Sequence, residues 1–510
     1  LLAFPAFVLL LPALGAETKL DPRVFAGKAA GEPASFLVVM REQADLSGAE
    51  AFREKAEKGR FVFEALRAQA EAAQAPLRAA LDAARVPYRS FYLVNMLEVE
   101  GDIALASQLA ARDDVAILAP NPEVALSRGP DVPEAADPSS VSRVLSLATV
   151  EPNIAKVGAP SVWSRGFTGQ GIVVGMADTG TTWDHPALKN HYRGFDGTTV
   201  SHDYNWHDAI HNAAVANPCG SDSPAPCDDD SHGTATASLV VGDDGAGNQV
   251  GMAPGARFIG CRNMDQGVGT PARYTECFQF FLAPTDHNGA NPRPDLAAHV
   301  INNSWGCPQS EGCTDPLVLK AVVENVRAAG IVVVVSAGNS GPACSTISEV
   351  PAFYDASFSI GATSLSDTIA SFSSRGPVTV DGSNRVKPDL SAPGVGVRVA
   401  RPPAAYNASF SGTSGSAPHV TGAVALLWSA APQLIGHVDA TTSLLERTAA
   451  PLTSTEDCGG FSGASVPNPV FGWGRLDVAA AVTASLPPPS RPKAVLTPRR
   501  GGTHRLSPRS

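Results

Sequence analysis

Basic residues are too few here for a nucleic-acid binder: 38 Lys and Arg stand against 49 Asp and Glu in 510 residues, a formal charge of -11. A phosphate backbone calls for a basic face, so nucleic acid is excluded as a partner. No apolar run reaches the roughly 20 residues that a spanning helix needs, which excludes a membrane span. Cysteine is absent before Cys219, and none of the eight forms the CxxC pair of a zinc site. An even number of cysteines confined to one region, in a chain that also carries an export-like leader, reads as disulfides. The chain is too long for one ordinary core, and a hydrophobic content of 44% makes most of it globular.

That leader is "LLAFPAFVLLLPALGAE", a short apolar run broken by Pro5 and Pro12 and ending in small residues. Without a starting Met or a basic flank, it reads as a secretory signal over residues 1–16 that begins part-way through, and it places the protein outside the cell. Residues 35–127 follow as a small module. "SFLVVM" predicts a strand, Ala49 to Arg85 a long helix, "SFYLVNMLEVE" a second strand, "IALASQLAARDD" a short helix, and "VAILAPNPEVAL" one or two more strands. The order β-α-β-β-α-β predicts a ferredoxin-like α+β fold. "SRGPDVPEAADPSS" has no periodicity and marks a linker over 128–149.

From 150 to 485, the apolar runs "GIVVGMAD", "ARFIGCRN", "AHVINNSWG" and "GIVVVVSAGN" look buried on both faces, as parallel strands do. Helical stretches such as "HGTATASLVVG" and "APHVTGAVALLWSAA" alternate with them. This predicts a doubly wound α/β domain with its site at the carboxyl ends of the strands. Residues 486–510, rich in Pro and basic residues, read as a disordered tail.

Four polar residues fall at strand ends or helix starts. Asp178 ends "GIVVGMAD", where a carboxylate can orient a histidine, or merely form a turn. His232 opens a helix beside Gly233, although one of 11 histidines needs no special role. Asn339 follows the most apolar strand, where its amide can donate to an oxyanion or shape a turn. Ser414, in "FSGTSGSAPHVTG", is either a helix cap or a nucleophile.

Taken in order, "MADTG", "HGTATAS", "SAGNSG" and "SGTSGSAPHVTG", with "GMAPGARF" between them, resemble the motifs of the subtilisin-like serine peptidases over about residues 152–482. "WDHPALKNHYRGF", "HDYNWHDA" and "VINNSWG" look most like the bacillopeptidase F branch of secreted bacterial enzymes. The first module is similar to the inhibitory propeptide of such enzymes. Gly415 and Ser416 replace the Met and Ala common after the serine; both are small.

The resemblance implies a secreted endopeptidase, made as an autoprocessed zymogen. Ser414 would be nucleophile, His232 general base and acid, Asp178 its orienting group and Asn339 an oxyanion donor. Ser304, Trp305 and Gly306 would pair with extended substrate and, with Ser336, Ala337 and Gly338, wall the primary specificity pocket. By register Glu349 falls near that pocket's floor and would favour Arg or Lys; a solvent-facing loop glutamate is the other reading. Partners would be protein or peptide substrates and the chain's own propeptide, on a monomer cleaved between about Ser127 and Val150. No cofactor is implied for catalysis. A structural calcium stays open, although Ala187 replaces a common aspartate ligand and "DDGAGNQVG" lacks the usual calcium-loop pattern.

Eight cysteines allow 105 connectivities. Loop length, and leaving none unpaired, selects Cys219–Cys227, Cys307–Cys313, Cys261–Cys277 and Cys344–Cys458. Two other functions stay open: an inactive binding protein of the same fold, which would be expected to have lost a catalytic residue, and an N-terminal module that acts as a peptidase inhibitor or folding helper in its own right.

Overall fold

The computed structural model describes residues 19–130, 149–313 and 318–486. The leader at 1–16, residues 131–148 of the linker and the tail from residue 487 lie outside the described residues.

The first module runs β1 (Ala34–Met40), α1 (Lys55–Ala84), β2 (Tyr88–Phe91), β3 (Met96–Gly101), α2 (Ile103–Ala110), β4 (Val115–Pro120) and the two-residue β5 (Val124–Ala125). Its sheet has the order β2-β3-β1-β4, with β1 antiparallel to both neighbours. The expected order β-α-β-β-α-β is the one observed; within it, "SFYLVNMLEVE", read as one strand, is a hairpin of two, β2 and β3. Its turn contains the apolar Leu93 and Val94 in place of Gly or Pro, because these side chains are buried against the larger domain.

Strand alternation explains how the module docks. Phe36, Val38, Leu97 and Val99 face a core shared with Leu77, Leu81 and Leu109 of the module's own helices. Leu37, Met96 and Ala119 face the other way, into a core shared with helices of the larger domain.

That domain contains β6 (Thr149–Val150), α3 (Pro152–Lys156), α4 (Ala159–Trp163), β7 (Val173–Asp178), β8 (Trp206–Asp208), α5 (His232–Val241), β9 (Asn248–Gln249) and β10 (Arg257–Arg262). There follow β11 (Met264–Asp265), β12 (Val268–Gly269), α6 (Pro271–Leu282), β13 (Val300–Asn303), α7 (Lys320–Ala328) and β14 (Val332–Ser336). β15 (Phe358–Thr363), β16 (Leu390–Pro393), β17 (Val397–Arg401), β18 (Ala405–Phe410), α8 (Thr413–Ala430), α9 (Val438–Arg447) and α10 (Val478–Ser485) complete it.

A seven-stranded sheet of order β16-β15-β14-β13-β7-β10-β8, parallel at every pairing, forms its centre. The α/β expectation holds. From β7 the chain runs to the edge strand β8, returns to β10 beside β7 and then crosses to β13 on its other side, so the carboxyl end of β7 lies at the topological switch point, where α/β folds place their sites. Helix α8 is enclosed, every residue but Ser429 being buried, and from Val420 to Trp428 it is almost wholly apolar. The four disulfides join the expected pairs. No helix among the described residues is long and apolar enough to cross a membrane.

Candidate active site

Asp178 ends β7 and is buried. Its Oδ1 accepts from the Thr179 amide at 2.8 Å and lies 2.7 Å from His232 Nδ1, while Oδ2 accepts from Thr236 Oγ1 at 3.1 Å. A carboxylate only accepts, so Nδ1 carries the ring hydrogen and a neutral His232 presents a lone pair on Nε2. That nitrogen is buried and has no hydrogen-bond partner among the described residues. His232 is the first residue of α5, and Gly233 behind it lies so close to the Gly180 carbonyl that a Cβ would collide.

One residue in this region carried no sequence signal. Asp228 accepts from Thr179 Oγ1 at 2.8 Å, from the Ser231 amide at 2.8 Å and from the Thr234 amide at 2.8 Å. It therefore ties the end of β7 to the first turn of α5. Burial pushes its carboxyl above the ordinary range, against the hydrogen bonds that hold it down. It is one of three consecutive aspartates, and the fold turns more than one of them inward: the neighbouring Asp229 side chain is fully buried against Arg262 at 3.2 Å.

Ser414 lies in the first turn of α8, one residue after Thr413. It is not the cap: the N-cap is Gly412, at φ +149°, and no side chain caps the helix. Ser414 Oγ donates to the Ser304 carbonyl at 3.0 Å. The His232 ring packs against Phe410, four residues earlier, with centroids 5.6 Å apart. The histidine in the same motif, His419, is structural. Its ring bonds the Gly415 carbonyl at 2.8 Å and Asn153 at 2.9 Å, and burial pulls its pKa down to about 4.

Asn339 faces the start of α8. Its Oδ1 accepts from the Thr413 amide at 2.9 Å and from Thr413 Oγ1 at 3.0 Å, which leaves Nδ2 as the outward donor. Nδ2 donates to the carbonyl of Ser127 at 2.9 Å. The chain's own segment thus occupies the cleft. Val124 and Ala125 pair antiparallel with Gly269 and Val268, the Leu126 amide donates to the Gly267 carbonyl at 2.7 Å, and the Ala125 amide donates to Glu311 at 2.7 Å. Arg128 pairs with Asp230, and Gly129 approaches Ser411 and Gly412 too closely for a Cβ. The β12 edge that receives this segment was not among the expected binding residues.

The expected pocket residues follow adjacent strands. Ser304, Trp305 and Gly306 come after β13; Ser336 ends β14, and Ala337 and Gly338 come after it. Ser304 is buried and its Oγ donates to the Ser414 carbonyl at 3.2 Å. The Trp305 side chain is core: its ring stacks on Tyr274 at 3.8 Å and its Nε1 donates to the Ala177 carbonyl at 3.1 Å. Glu349 is 5% exposed, so it is not a solvent-facing loop residue. Ala187 is buried, and among the described residues no group of three or more His, Cys, Asp or Glu is arranged to hold a metal ion.

Residues 169–474 match the Subtilase family. The chain is 34% identical over 409 residues to Bacillopeptidase F of Bacillus subtilis (strain 168), an alignment covering 78% of this chain and 26% of that protein. To Serine protease AprX of the same organism it is 33% identical, over 52% of this chain and 59% of the relative. To Subtilisin E, also of that organism, it is 31% identical, over 55% and 61%. The chain thus spans under two thirds of the length of each of these relatives.

Proposed function

The chain belongs to the subtilase family, and from that premise we propose that it is a serine endopeptidase acting through an acyl-enzyme, with Ser414 as nucleophile. One observation carries the reading: a peptide carbonyl, that of Ser127, sits on Asn339 Nδ2 at the start of the helix that bears Ser414.

In this scheme Ser414 Oγ turns from the Ser304 carbonyl and attacks the substrate carbonyl carbon, giving its proton to His232 Nε2. Resting-state bonds of this kind often tighten only with substrate. Asp178, already bonded to Nδ1, stabilises the imidazolium that forms. The carbonyl oxygen becomes an oxyanion held by Asn339 Nδ2 and the Ser414 amide at the positive end of α8. As the tetrahedral intermediate collapses, the C–N bond breaks and His232 returns the proton to the leaving amine. Water, deprotonated by His232, then hydrolyses the ester and regenerates Ser414. No cofactor takes part.

The module over 35–127 acts as an intramolecular inhibitor of the domain over 150–485, and the signal-like leader and disulfides fit an exported monomeric zymogen. With the Ser127 carbonyl in the oxyanion site, the bond offered for self-cleavage is Ser127–Arg128. Intact-mass and N-terminal sequencing test this. Wild-type protein should yield a mature chain beginning at Arg128, and Ser414→Ala should stay uncut in a protease-free host. A Ser414→Ala protein that still processes itself, or that hydrolyses peptides at the wild-type rate, would overturn the reading.

A further inference from the structure

Resting on the endopeptidase reading, we propose that Glu349 makes the primary pocket a receptor for a cation, so that the enzyme cleaves after Arg or Lys.

The argument begins with position. Gly338 immediately precedes the oxyanion donor Asn339, and Gly306 lies on the neighbouring strand's extension. The Glu349 carboxyl group reaches both: a Cβ on Gly306 would collide with Oε2, and one on Gly338 would stand 3.5 Å from Cδ and 3.6 Å from Oε1. Neither glycine places a side chain between the carboxylate and the cleft. The backbone that carries Glu349 is clamped as well. The Cys307 amide donates to the Val350 carbonyl at 2.7 Å, the Val350 amide donates back at 3.2 Å, and Cys307 is tied to Cys313.

The second observation is electrostatic. Ser340 Oγ donates to Oε1 at 3.2 Å, yet among the described residues no Lys, Arg or His forms an ion pair with Glu349. Glu311, of the same sign, adds repulsion. A buried carboxylate without a cation is costly, and fold stability alone would favour a small residue beside two glycines. The missing charge is supplied when a guanidinium or ammonium enters from the cleft, and Arg can make two parallel bonds to one carboxylate. The segment held in the cleft places Ser127 at this position, which brings no cation, so a substrate with Arg there has a contact that the inhibitory segment lacks.

The test uses processed enzyme and peptide substrates that differ only at the residue before the scissile bond. Wild-type kcat/KM should favour Arg and Lys over Leu by about 10²-fold or more, the size of one lost charged contact. In Glu349→Gln the Arg/Leu ratio should fall by a similar factor. A wild-type preference for large apolar residues that Glu349→Gln leaves unaltered would overturn the proposal. Benzamidinium binding, read by calorimetry, carries the test without turnover: uptake by wild type and loss in a folded Glu349→Gln support it, and equal binding to both refutes it. Failure of the endopeptidase reading looks different, because then no peptide is cut and Ser414 takes up no serine-directed covalent inhibitor.

Discussion

Replacing Asn339 with Leu separates two quantities that a static contact list merges. The side chain makes one outward bond, Nδ2 to the Ser127 carbonyl at 2.9 Å, and two inward ones through Oδ1 to Thr413. In the resting complex the carbonyl is neutral, so losing the outward bond costs about 0.5–1.5 kcal/mol, or roughly 2- to 12-fold in affinity for the segment. In the transition state the same oxygen carries negative charge, and losing the donor costs about 10²- to 10³-fold in kcat. The predicted outcome is unequal loss. Inhibition by a hexapeptide amide with the sequence of residues 122–127 should weaken by an order of magnitude at most, while kcat falls by two or three. Thr413 is fully buried, and its amide and hydroxyl lose an acceptor, so the Leu variant should also be less stable by about 1–3 kcal/mol for each group left unpaired. Asn339→Asp keeps acceptors for Thr413 but no donor, and should retain more stability while losing at least as much kcat. Equal losses in peptide affinity and kcat would refute the reasoning, because Asn339 would then be holding substrate without responding to developing charge.

Other consequences are equally measurable. Asp178→Asn should lower kcat by about 10⁴-fold, since the histidine loses the partner that sets its tautomer, with peptide affinity little changed. Gln279 Oε1 accepts from the Tyr92 and Leu93 amides at 2.8 and 3.2 Å, so Gln279→Ala should raise the inhibition constant of the separate 19–127 fragment by about 10-fold without altering kcat on short peptides. In a Ser414→Ala background, replacing Cys344 and Cys458 should lower stability in urea by up to about 4.8 kcal/mol, against up to about 2.5 for Cys219 and Cys227; their separations are 114 and 8 residues, and equal costs would contradict the chain-entropy account. Burial holds the Glu349 carboxyl above its ordinary value, opposed by the Ser340 hydroxyl and reinforced by Glu311. A group so raised takes its proton while the pH is still above 4.5, so the Arg/Leu selectivity ratio should be full at high pH and decline on acidification earlier than for an exposed glutamate; a ratio flat through that range would count against the ion pair.

Much of the fold could be read locally. Runs such as "IVVVV" at 331–335 are apolar at every position because a parallel strand covered by helices has no solvent face, and that requirement is written in consecutive residues. The places of Asp178, His232 and Ser414 were legible beside such runs: Asp178 ends one of these strands, while His232 and Ser414 lie at the starts of helices. Tertiary structure decided what depends on distant chain. The turn of the hairpin at residues 88–101 was hidden because it carries the apolar Leu93 and Val94, which are there because the turn docks on another domain. Asp228 became a brace because the fold brings Thr179 and the start of α5 around it. The partner of residues 124–126 could not be read either, since an edge strand offers its backbone and backbone carries no sequence. Glu349 shows the division most clearly. Its position along the chain placed it near a pocket, but whether it met water or two glycines depended on loops after β13 and β14 converging on one point, and burial is a property of that convergence.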